Sequence, residues 1–402
     1  MIRIAALLAL VVTAPVAGAA SVLGHYRAVL ELPGGELPFG LTIAEEHGQP
    51  VGYIENGKER VQIKEVSVAG EHVELAMPGY GHRLVADATA DGLAGEARML
   101  RRTGRTVVLP FRATRGANYR FFPNSTANPA AFAGRWAVEF KDENGEVEKA
   151  IGEFTQSGTH VTGTFLTATG DHRYLAGDVR GKELYLSRFD GGSAFLYHAL
   201  MNESGEIDGM FWSGNWSEES WHARRDQAAA LSDPAAGISG ATLSFTFPDL
   251  DGHPVSMSDA RFRNKVVIVA VGGSWCPNCH DEAEFLKPYY RKLHARGLEI
   301  VFLQFEYQDD FAAAAAANRR FAALYDIDWP ILIGGTTNAD DAAKKLPAFG
   351  RIYGWPTTAY VDRSGHIRRI HTGFSGPATG AHYEEWRHEF ETLVMGLLTE
   401  PG

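Results

Sequence analysis

Two cysteines, Cys276 and Cys279, are the only ones in the 402-residue chain, and two residues separate them. This spacing lets both sulfur atoms lie within one helical turn, as two thiols or as one small disulfide ring. A disulfide that staples a fold usually closes a long loop, because the stability gained grows with the loop that is constrained. The Cys276–Cys279 pair closes almost no loop, so its spacing indicates redox chemistry rather than a structural crosslink.

The residues around the pair predict that Cys276 lies at the N-terminus of a helix. Lys265–Val271 is a β-branched run typical of a strand buried on both faces, and a helix is predicted from about Cys276 to Arg296. The unpaired N–H groups of a first helical turn stabilise an anion, which favours the thiolate of Cys276 and makes it the predicted nucleophile. Cys279 is the predicted resolving thiol, and Trp275 is predicted to wall the Cys276 sulfur and to contact the substrate.

The elements that would position the pair belong to an α/β pattern that begins after residue 241. Strand and helix patterns alternate there, which predicts a sheet with crossover connections. The predicted strands and helices are a small hairpin of Phe245–His253 and Val255–Met257, strands at Leu298–Phe305, Trp329–Ile333, Thr357–Asp362 and Ile367–Thr372, and helices at Asp309–Tyr325, Ala339–Gly350 and Tyr383–Leu398.

The region from about residue 24 to residue 225 has an all-β pattern of short, partly alternating apolar runs between Gly-rich turns. Gly24-His25-Tyr26 resembles Gly134-Arg135-Trp136, and Leu84–Met99 resembles Leu196–Phe211. Each half has room for about eight short strands, enough for a small barrel or sandwich. We therefore predict a duplicated β-rich region with units at 20–116 and 132–225, a linker at 226–240, and an α/β domain at 241–398.

The N-terminal segment Met1–Ala19 predicts a secretory signal peptide. Arg3 is followed by the apolar run Ile4–Val12 and by the small residues Ala17-Gly18-Ala19. No other stretch approaches the ~20 apolar residues of a membrane span, so we expect a soluble periplasmic protein after cleavage. Export would place the cysteine pair in an oxidising compartment, where it stays oxidised unless a partner reduces it.

The charge balance argues against two classes of partner. The chain has 38 Lys and Arg residues against 49 Asp and Glu residues, a formal net charge of −11. An acidic chain without a basic stripe is a poor ligand for nucleic acids or anionic membranes.

Three motifs resemble the thioredoxin superfamily, and a fourth segment is similar to its TlpA/ResA-type thiol–disulfide oxidoreductases. The resemblance covers about residues 243–398. It implies a thioredoxin-like fold, reduction of disulfides in protein substrates, a membrane or periplasmic thiol as electron donor, and no cofactor. The motifs are Ser274-Trp275-Cys276-Pro277-Asn278-Cys279, Gly354-Trp355-Pro356-Thr357-Thr358, Tyr360-Val361-Asp362 with Gly365, and Phe247–Gly252 with Val255-Ser256-Met257.

The same resemblance implies roles for residues outside the pair. Pro356 corresponds to a cis proline beside the cysteines, and Trp355, Pro356 and Thr357 would shape a groove for an extended substrate. Glu282 corresponds to a family glutamate and lies three residues after Cys279, on the same helical face, where a carboxylate can take and return a proton. The alternative is a solvent-exposed glutamate that complements the helix dipole, the role we assign to Asp281 and Glu284.

Other functions remain open on the sequence. Cys276-x-x-Cys279-His280 also fits the attachment pattern of c-type haem, although the preceding strand, Trp275 and the Gly-Trp-Pro-Thr element disfavour it. The same three residues fall one ligand short of a closed zinc site. A non-enzymatic binding protein is a further alternative, in which the β-units carry the function; Trp212, Trp216 and Trp221 would be its aromatic platform, or else core and rim residues.

Overall fold

The computed structural model describes residues 22–101, 104–124 and 128–401. The predicted signal peptide at 1–19 lies outside the described residues. Two nine-stranded sheets come first along the chain, followed by a two-stranded hairpin and a five-stranded sheet. Among the described residues, no helix is both long enough and apolar enough to cross a membrane.

The first sheet is antiparallel throughout and has the strand order β4-β3-β2-β1-β9-β8-β7-β6-β5. Alternating residues such as Tyr26, Leu41 and Leu109 are fully buried in its core. Its strands are β1 (Gly24–Leu32), β2 (Gly35–Glu46), β3 (Gln49–Asn56), β4 (Glu59–Ile63), β5 (Val66–Ala69), β6 (His72–Ala76), β7 (Arg83–Ala88), β8 (Gly92–Leu100) and β9 (Thr106–Arg115).

The second sheet closes into a barrel, because its strand order β11-β10-β18-β17-β16-β15-β14-β12-β13 is completed by pairing of β11 with β12. Aromatic side chains, among them Trp136, Phe140 and Phe165, fill its interior. Its strands are β10 (Gly134–Lys141), β11 (Val147–Ser157), β12 (His160–Thr167), β13 (Gly170–Asp171), β14 (Leu175–Arg180), β15 (Glu183–Phe189), β16 (Ala194–Met201), β17 (Ile207–Ser213) and β18 (Ser217–Arg225).

Matching contacts in the two sheets support the predicted duplication. The Tyr26 hydroxyl donates to the Val22 carbonyl at 2.7 Å, and the Trp136 indole donates to the Phe132 carbonyl at 2.9 Å. In each pair the acceptor lies four residues earlier. The last arginine of the closing strand then covers each ring, Arg115 at 4.8 Å and its counterpart Arg225 at 4.3 Å from the ring centroid. The predicted duplicated all-β region is therefore confirmed, with nine strands in each sheet instead of about eight.

The C-terminal domain has the predicted α/β order. Its five-stranded sheet has the order β23-β22-β21-β24-β25. Strands β21, β22 and β23 are parallel to one another, and β24 is antiparallel to both of its neighbours, β21 and β25. The elements are β19 (Thr246–Pro248), β20 (Pro254–Ser256), β21 (Val266–Gly272), α1 (Pro277–Leu293), β22 (Leu298–Glu306), α2 (Phe311–Tyr325), β23 (Ile331–Thr336), α3 (Ala339–Lys345), β24 (Thr357–Val361), β25 (Ile367–Thr372) and α4 (Ala381–Thr399).

The central strand β21 is buried on both faces, as its β-branched run predicts. Val267, Val269 and Val271 face the core that contains α3 and the hairpin, whereas Ile268 and Ala270 face the core that contains α1 and α4. This strand ends at the loop that leads into Cys276.

One predicted helix is divided in the structure. The pattern at Ala339–Gly350 yields α3, which ends at Lys345, and a separate 3₁₀ turn at Pro347–Phe349. The break occurs at Leu346, whose ψ of 61° is non-helical. A residue that precedes proline is sterically disfavoured in the helical region, which explains the break.

Candidate active site at the cysteine pair

The two cysteines form a disulfide at the start of α1, with their Cα atoms 5.2 Å apart. Cys276 is the N-cap residue and Pro277 occupies the first helical turn, where its missing N–H costs nothing. The backbone N–H of Cys279 points at the Sγ of Cys276 from 3.2 Å. A donor in this position stabilises negative charge that develops on Cys276 when the disulfide opens.

The Gly-Trp-Pro-Thr element lies directly against the first cysteine. The Trp355–Pro356 peptide bond is cis, and the Trp355 carbonyl oxygen lies 3.4 Å from the Cys276 Sγ. Thr357 is buried, and its hydroxyl donates to the Gly354 carbonyl at 2.8 Å, which fixes the turn before the proline. The structure thus brings Trp355 and Pro356 beside the cysteines, while the Thr357 side chain is turned inward.

Aromatic rings form one wall next to the pair. Trp275 stacks on Tyr307 at a centroid distance of 4.8 Å and meets Trp355 edge-on at 6.2 Å. The Trp275 indole also donates to the Phe305 carbonyl at 2.8 Å, so the ring is held in place. Trp275, Tyr307 and Trp355, from three separate segments, therefore pack together where the loop enters Cys276.

Glu282 is a buried carboxyl group on the sheet side of α1. Only 4% of the residue is exposed, and it accepts a hydrogen bond of 2.6 Å from the Thr358 hydroxyl. Burial raises the pKa of Glu282 to about 7, and the Thr358 hydrogen bond opposes that rise. The solvent-exposed alternative is wrong for this residue, and its pKa lies in the range where a carboxyl group can exchange protons near neutral pH.

Asp281 is not the solvent-exposed residue that the sequence predicts. Its carboxylate forms an ion pair of 3.0 Å with Arg173 of the second β-unit, and burial raises its pKa to about 7 against the effect of that arginine. The prediction failed because the covering surface comes from a unit remote in sequence. Glu284, by contrast, is exposed.

His280 is a packing residue in this structure. Its Nε2–H donates to the Ser274 carbonyl at 2.8 Å, and its Nδ1 accepts from the Tyr325 hydroxyl at 2.9 Å. Tyr80 of the first β-unit stacks on the ring at 4.4 Å. Burial lowers the pKa of His280 to about 4, so the ring is neutral at pH 7. With both nitrogens engaged, His280 has no free lone pair for a haem iron or a zinc ion.

Sequence reasoning missed a second buried carboxyl group, Glu306 at the end of β22. It accepts from both the backbone N–H and the hydroxyl of Ser274, each at 2.9 Å, and from the Asn318 amide at 2.8 Å. These bonds fix the loop that leads into Trp275. A charged residue at the end of a strand otherwise buried throughout is the sequence signal that could have revealed it.

The three tryptophans of the predicted aromatic platform do not form one surface. Trp221 is buried in the core of the second unit, whereas Trp212 and Trp216 pack against the core of the first.

A family model described as Redoxin matches residues 239–384. The C-terminal domain is a redoxin domain. The predicted membership of the thioredoxin superfamily, with the TlpA/ResA-type resemblance and the enzyme class of thiol–disulfide oxidoreductase, is confirmed for this domain. The match begins after both β-rich units.

Relatives of the redoxin domain carry names of the same class. It is 28% identical over 168 residues to the thiol:disulfide interchange protein DsbE of Pseudomonas aeruginosa, which covers 42% of this chain and 81% of that protein. It is 26% identical over 124 residues to the thiol-disulfide oxidoreductase ResA of Bacillus thuringiensis. That match covers 31% of this chain and 63% of ResA, less than two thirds of its length.

Similar solved structures include a thiol:disulfide interchange protein of the thioredoxin family from Chlorobium tepidum. It is 20% identical with a TM-score of 0.31, and the match covers 42% of this chain and 99% of that chain. A thiol-disulfide isomerase from Corynebacterium glutamicum is 19% identical with a TM-score of 0.33, and its match covers 40% of this chain and 98% of that chain.

Proposed function

We propose that the protein is an exported oxidoreductase that reduces disulfides of protein partners through Cys276 and Cys279. The observation that carries the proposal is the disulfide at the N-terminus of α1, in which the Cys279 N–H lies 3.2 Å from the Cys276 sulfur. This arrangement stabilises a thiolate on Cys276 and leaves Cys279 within bonding distance of it.

The reaction starts from the reduced pair. The Cys276 thiolate attacks one sulfur of a substrate disulfide, a mixed disulfide forms, and the other substrate sulfur leaves as a thiolate. Cys279, after losing its proton, attacks the Cys276 sulfur and displaces the second substrate thiolate. Two electrons pass to the substrate, whose thiolates take up protons, and the Cys276–Cys279 disulfide remains.

Glu282 is the group we assign to the proton of Cys279. It lies on the same helical face as Cys279, three residues further along α1, and it is buried with a pKa near 7. With this pKa, Glu282 is present partly as the carboxylate near neutral pH, and the carboxylate can receive the proton that Cys279 must lose.

We expect the protein to act in the periplasm with two kinds of partner, a substrate and an electron donor. A disulfide-containing protein is the substrate, and a membrane or periplasmic dithiol returns the pair to its reduced form, because a lone pair in an oxidising compartment would otherwise stay oxidised. The names of the relatives, thiol:disulfide interchange protein for DsbE and thiol-disulfide oxidoreductase for ResA, support a disulfide-containing substrate.

Insulin reduction with dithiothreitol as electron donor tests the proposed activity. The full chain should accelerate precipitation of the insulin B chain, and the Cys276→Ser variant should not. Equal rates for the two proteins would overturn the proposal. The Cys279→Ser variant should accumulate a mixed disulfide on Cys276, which mass spectrometry after capture from a periplasmic extract identifies.

A further inference from the structure

A segment of the second β-unit lies on the groove beside Pro356. We call Thr167–Asp171 the groove segment; it begins at the last residue of β12 and ends with β13. Two glycines that flank the groove contact it closely. A methyl group on Gly354 would lie 2.6 Å from both Cβ and Cγ2 of Thr169, and one on Gly373 would lie 2.5 Å from the Thr169 carbonyl carbon.

The groove segment is also held by Asn278, one of the two residues between the cysteines. The Asn278 side-chain amide, oriented so that donors meet acceptors, accepts from the Asp171 N–H at 3.0 Å and donates to the Asp171 carbonyl at 3.2 Å. The Asp171 carboxylate accepts from the Gly376 N–H at 2.5 Å. A side-chain amide that binds both the N–H and the carbonyl of one residue pairs with its backbone as a neighbouring strand would, and a groove for an extended peptide makes the same kind of contact.

These contacts coincide with a closed redox site. Cys276 is 3% exposed and Cys279 is 4% exposed, although Cys276 must meet a sulfur of another protein. Next to the groove segment, Arg173 anchors the β-unit to the redox helix through Asp281 at 3.0 Å. The same guanidinium binds Asp190 at 2.7 Å, so the chain just after the groove segment is tied to its own barrel as well.

We propose that the groove segment is a built-in occupant of the substrate groove, and that a protein disulfide reaches Cys276 only after this segment moves away. The inference deepens the proposed function and rests on it, since it concerns access of protein substrates to the same cysteine. The second β-unit then controls which partners the redox site meets: a partner has to displace Thr169 from Gly354 and take over the pairing with Asn278.

Alkylation of a single thiol tests closure without turnover. In the full chain with Cys279→Ser, Cys276 is alkylated in parallel with iodoacetamide and with a bulky polyethylene glycol maleimide. The measured quantity is the alkylation rate with the bulky reagent divided by the rate with iodoacetamide. A closed groove predicts that this ratio is much lower in the folded protein than in the urea-unfolded protein. Equal ratios in the two states would overturn the proposal.

Two variants test whether contact between Gly354 and Thr169 keeps the groove closed. Gly354 lies outside the left-handed backbone region, so Gly354→Ala adds no backbone strain, but its methyl group must expel Thr169. We expect this variant, in the same Cys279→Ser background, to raise the rate with the bulky reagent by roughly tenfold or more, since it shifts the population towards an open groove. Gly354→Ala with Thr169→Gly removes the clashing atoms and should return the rate towards that of the parent.

Two results would contradict the proposal: no acceleration in Gly354→Ala, or a double variant that stays as fast as the single one. If Gly354→Ala fails to fold, the test is hydrogen–deuterium exchange of the groove segment in the protein with Gly354 and Thr169 unchanged. Formation of a mixed disulfide between Cys276 and a cysteine peptide should speed exchange at residues 167–171, and unchanged exchange there would overturn the inference. A chain that opens as expected but does not reduce insulin would refute the proposed function alone.

Discussion

The guanidinium of Arg173 lies 3.0 Å from the carboxylate of Asp281, and this contact joins the second β-unit to the helix that carries the cysteines. The same guanidinium lies 3.0 Å from Glu59 of the first β-unit and 2.7 Å from Asp190. One largely buried side chain therefore connects all parts of the described fold at a point just after Cys279. Its charge is needed there because three carboxylates converge on it.

Replacement of Arg173 should destabilise the whole chain. Arg173→Gln leaves Glu59, Asp190 and Asp281 without their shared cation, and loss of one partner from a buried ion pair typically costs about 3–5 kcal/mol. Urea unfolding followed by fluorescence measures the change. The control is Arg180→Gln, which breaks an exposed pair with Glu183 and should cost less than about 1 kcal/mol. Equal effects of the two substitutions would show that the junction is not a stabilising centre.

Glu282 should make stability depend on pH in a predictable direction. Burial raises its pKa from 4.5 to about 7, so the folded protein binds this proton more tightly than the unfolded chain does. The stability that protonated Glu282 contributes is fully present below about pH 4.5 and is lost as the pH rises through about 7. The difference between these two pKa values corresponds to about 3 kcal/mol in the free energy of unfolding.

Glu282→Gln removes this titration. Its urea midpoint should fall less than that of the unaltered protein between pH 5 and pH 8, a range that brackets the folded pKa. Asp281, whose pKa is also about 7, remains in both proteins and supplies the common background. Parallel pH profiles for the two proteins would contradict the assignment of a raised pKa to Glu282.

These examples show which properties the sequence could predict. The α/β order follows from the alternation of strand and helix patterns after residue 241, and the position of the cysteines at a helix start follows from the strand that precedes them. The state of Asp281 could not be predicted, because its partner Arg173 lies in another unit. Burial of Glu306 was missed for the same reason, since its partner Ser274 is adjacent only in the folded sheet.

The β-rich units show a different limit. Their alternating pattern and weak repeat predicted a duplicated all-β region, but the strand number was too low. β13 has two residues, and β5 carries mostly exposed residues, so neither produces an apolar alternation. The groove segment includes β13, and its contacts with Gly354 and Gly373 depend on how the barrel meets the redoxin domain, which no local pattern encodes.

Thr358 should tune the proton affinity of Glu282. Its hydroxyl donates to the carboxylate at 2.6 Å and lowers the pKa relative to burial alone. Thr358→Val removes that donor while it keeps the side-chain shape, so the pKa of Glu282 should rise further above 7. Carbon-detected NMR of labelled glutamate measures the shift. Thr357→Val is the matched control, because the Thr357 hydroxyl binds the Gly354 carbonyl instead. A fall in the pKa with Thr358→Val would refute this coupling.

Tyr80 and His280 should be energetically coupled across the contact between the first β-unit and the redoxin domain. The rings stack at 4.4 Å, and both residues are largely buried. Stacked aromatic pairs contribute about 0.5–1.5 kcal/mol beyond the area that they bury. A double-mutant cycle with Tyr80→Leu and His280→Leu measures that term by urea unfolding, because effects unrelated to the contact cancel.

The cycle also reports how the units unfold. If the β-units and the redoxin domain unfold as one cooperative body, the coupling between Tyr80 and His280 appears in a single transition. If the redoxin domain unfolds separately, Tyr80→Leu leaves its transition unchanged and the coupling is zero. A zero value would mean that the stack does not hold the first β-unit against the redox helix.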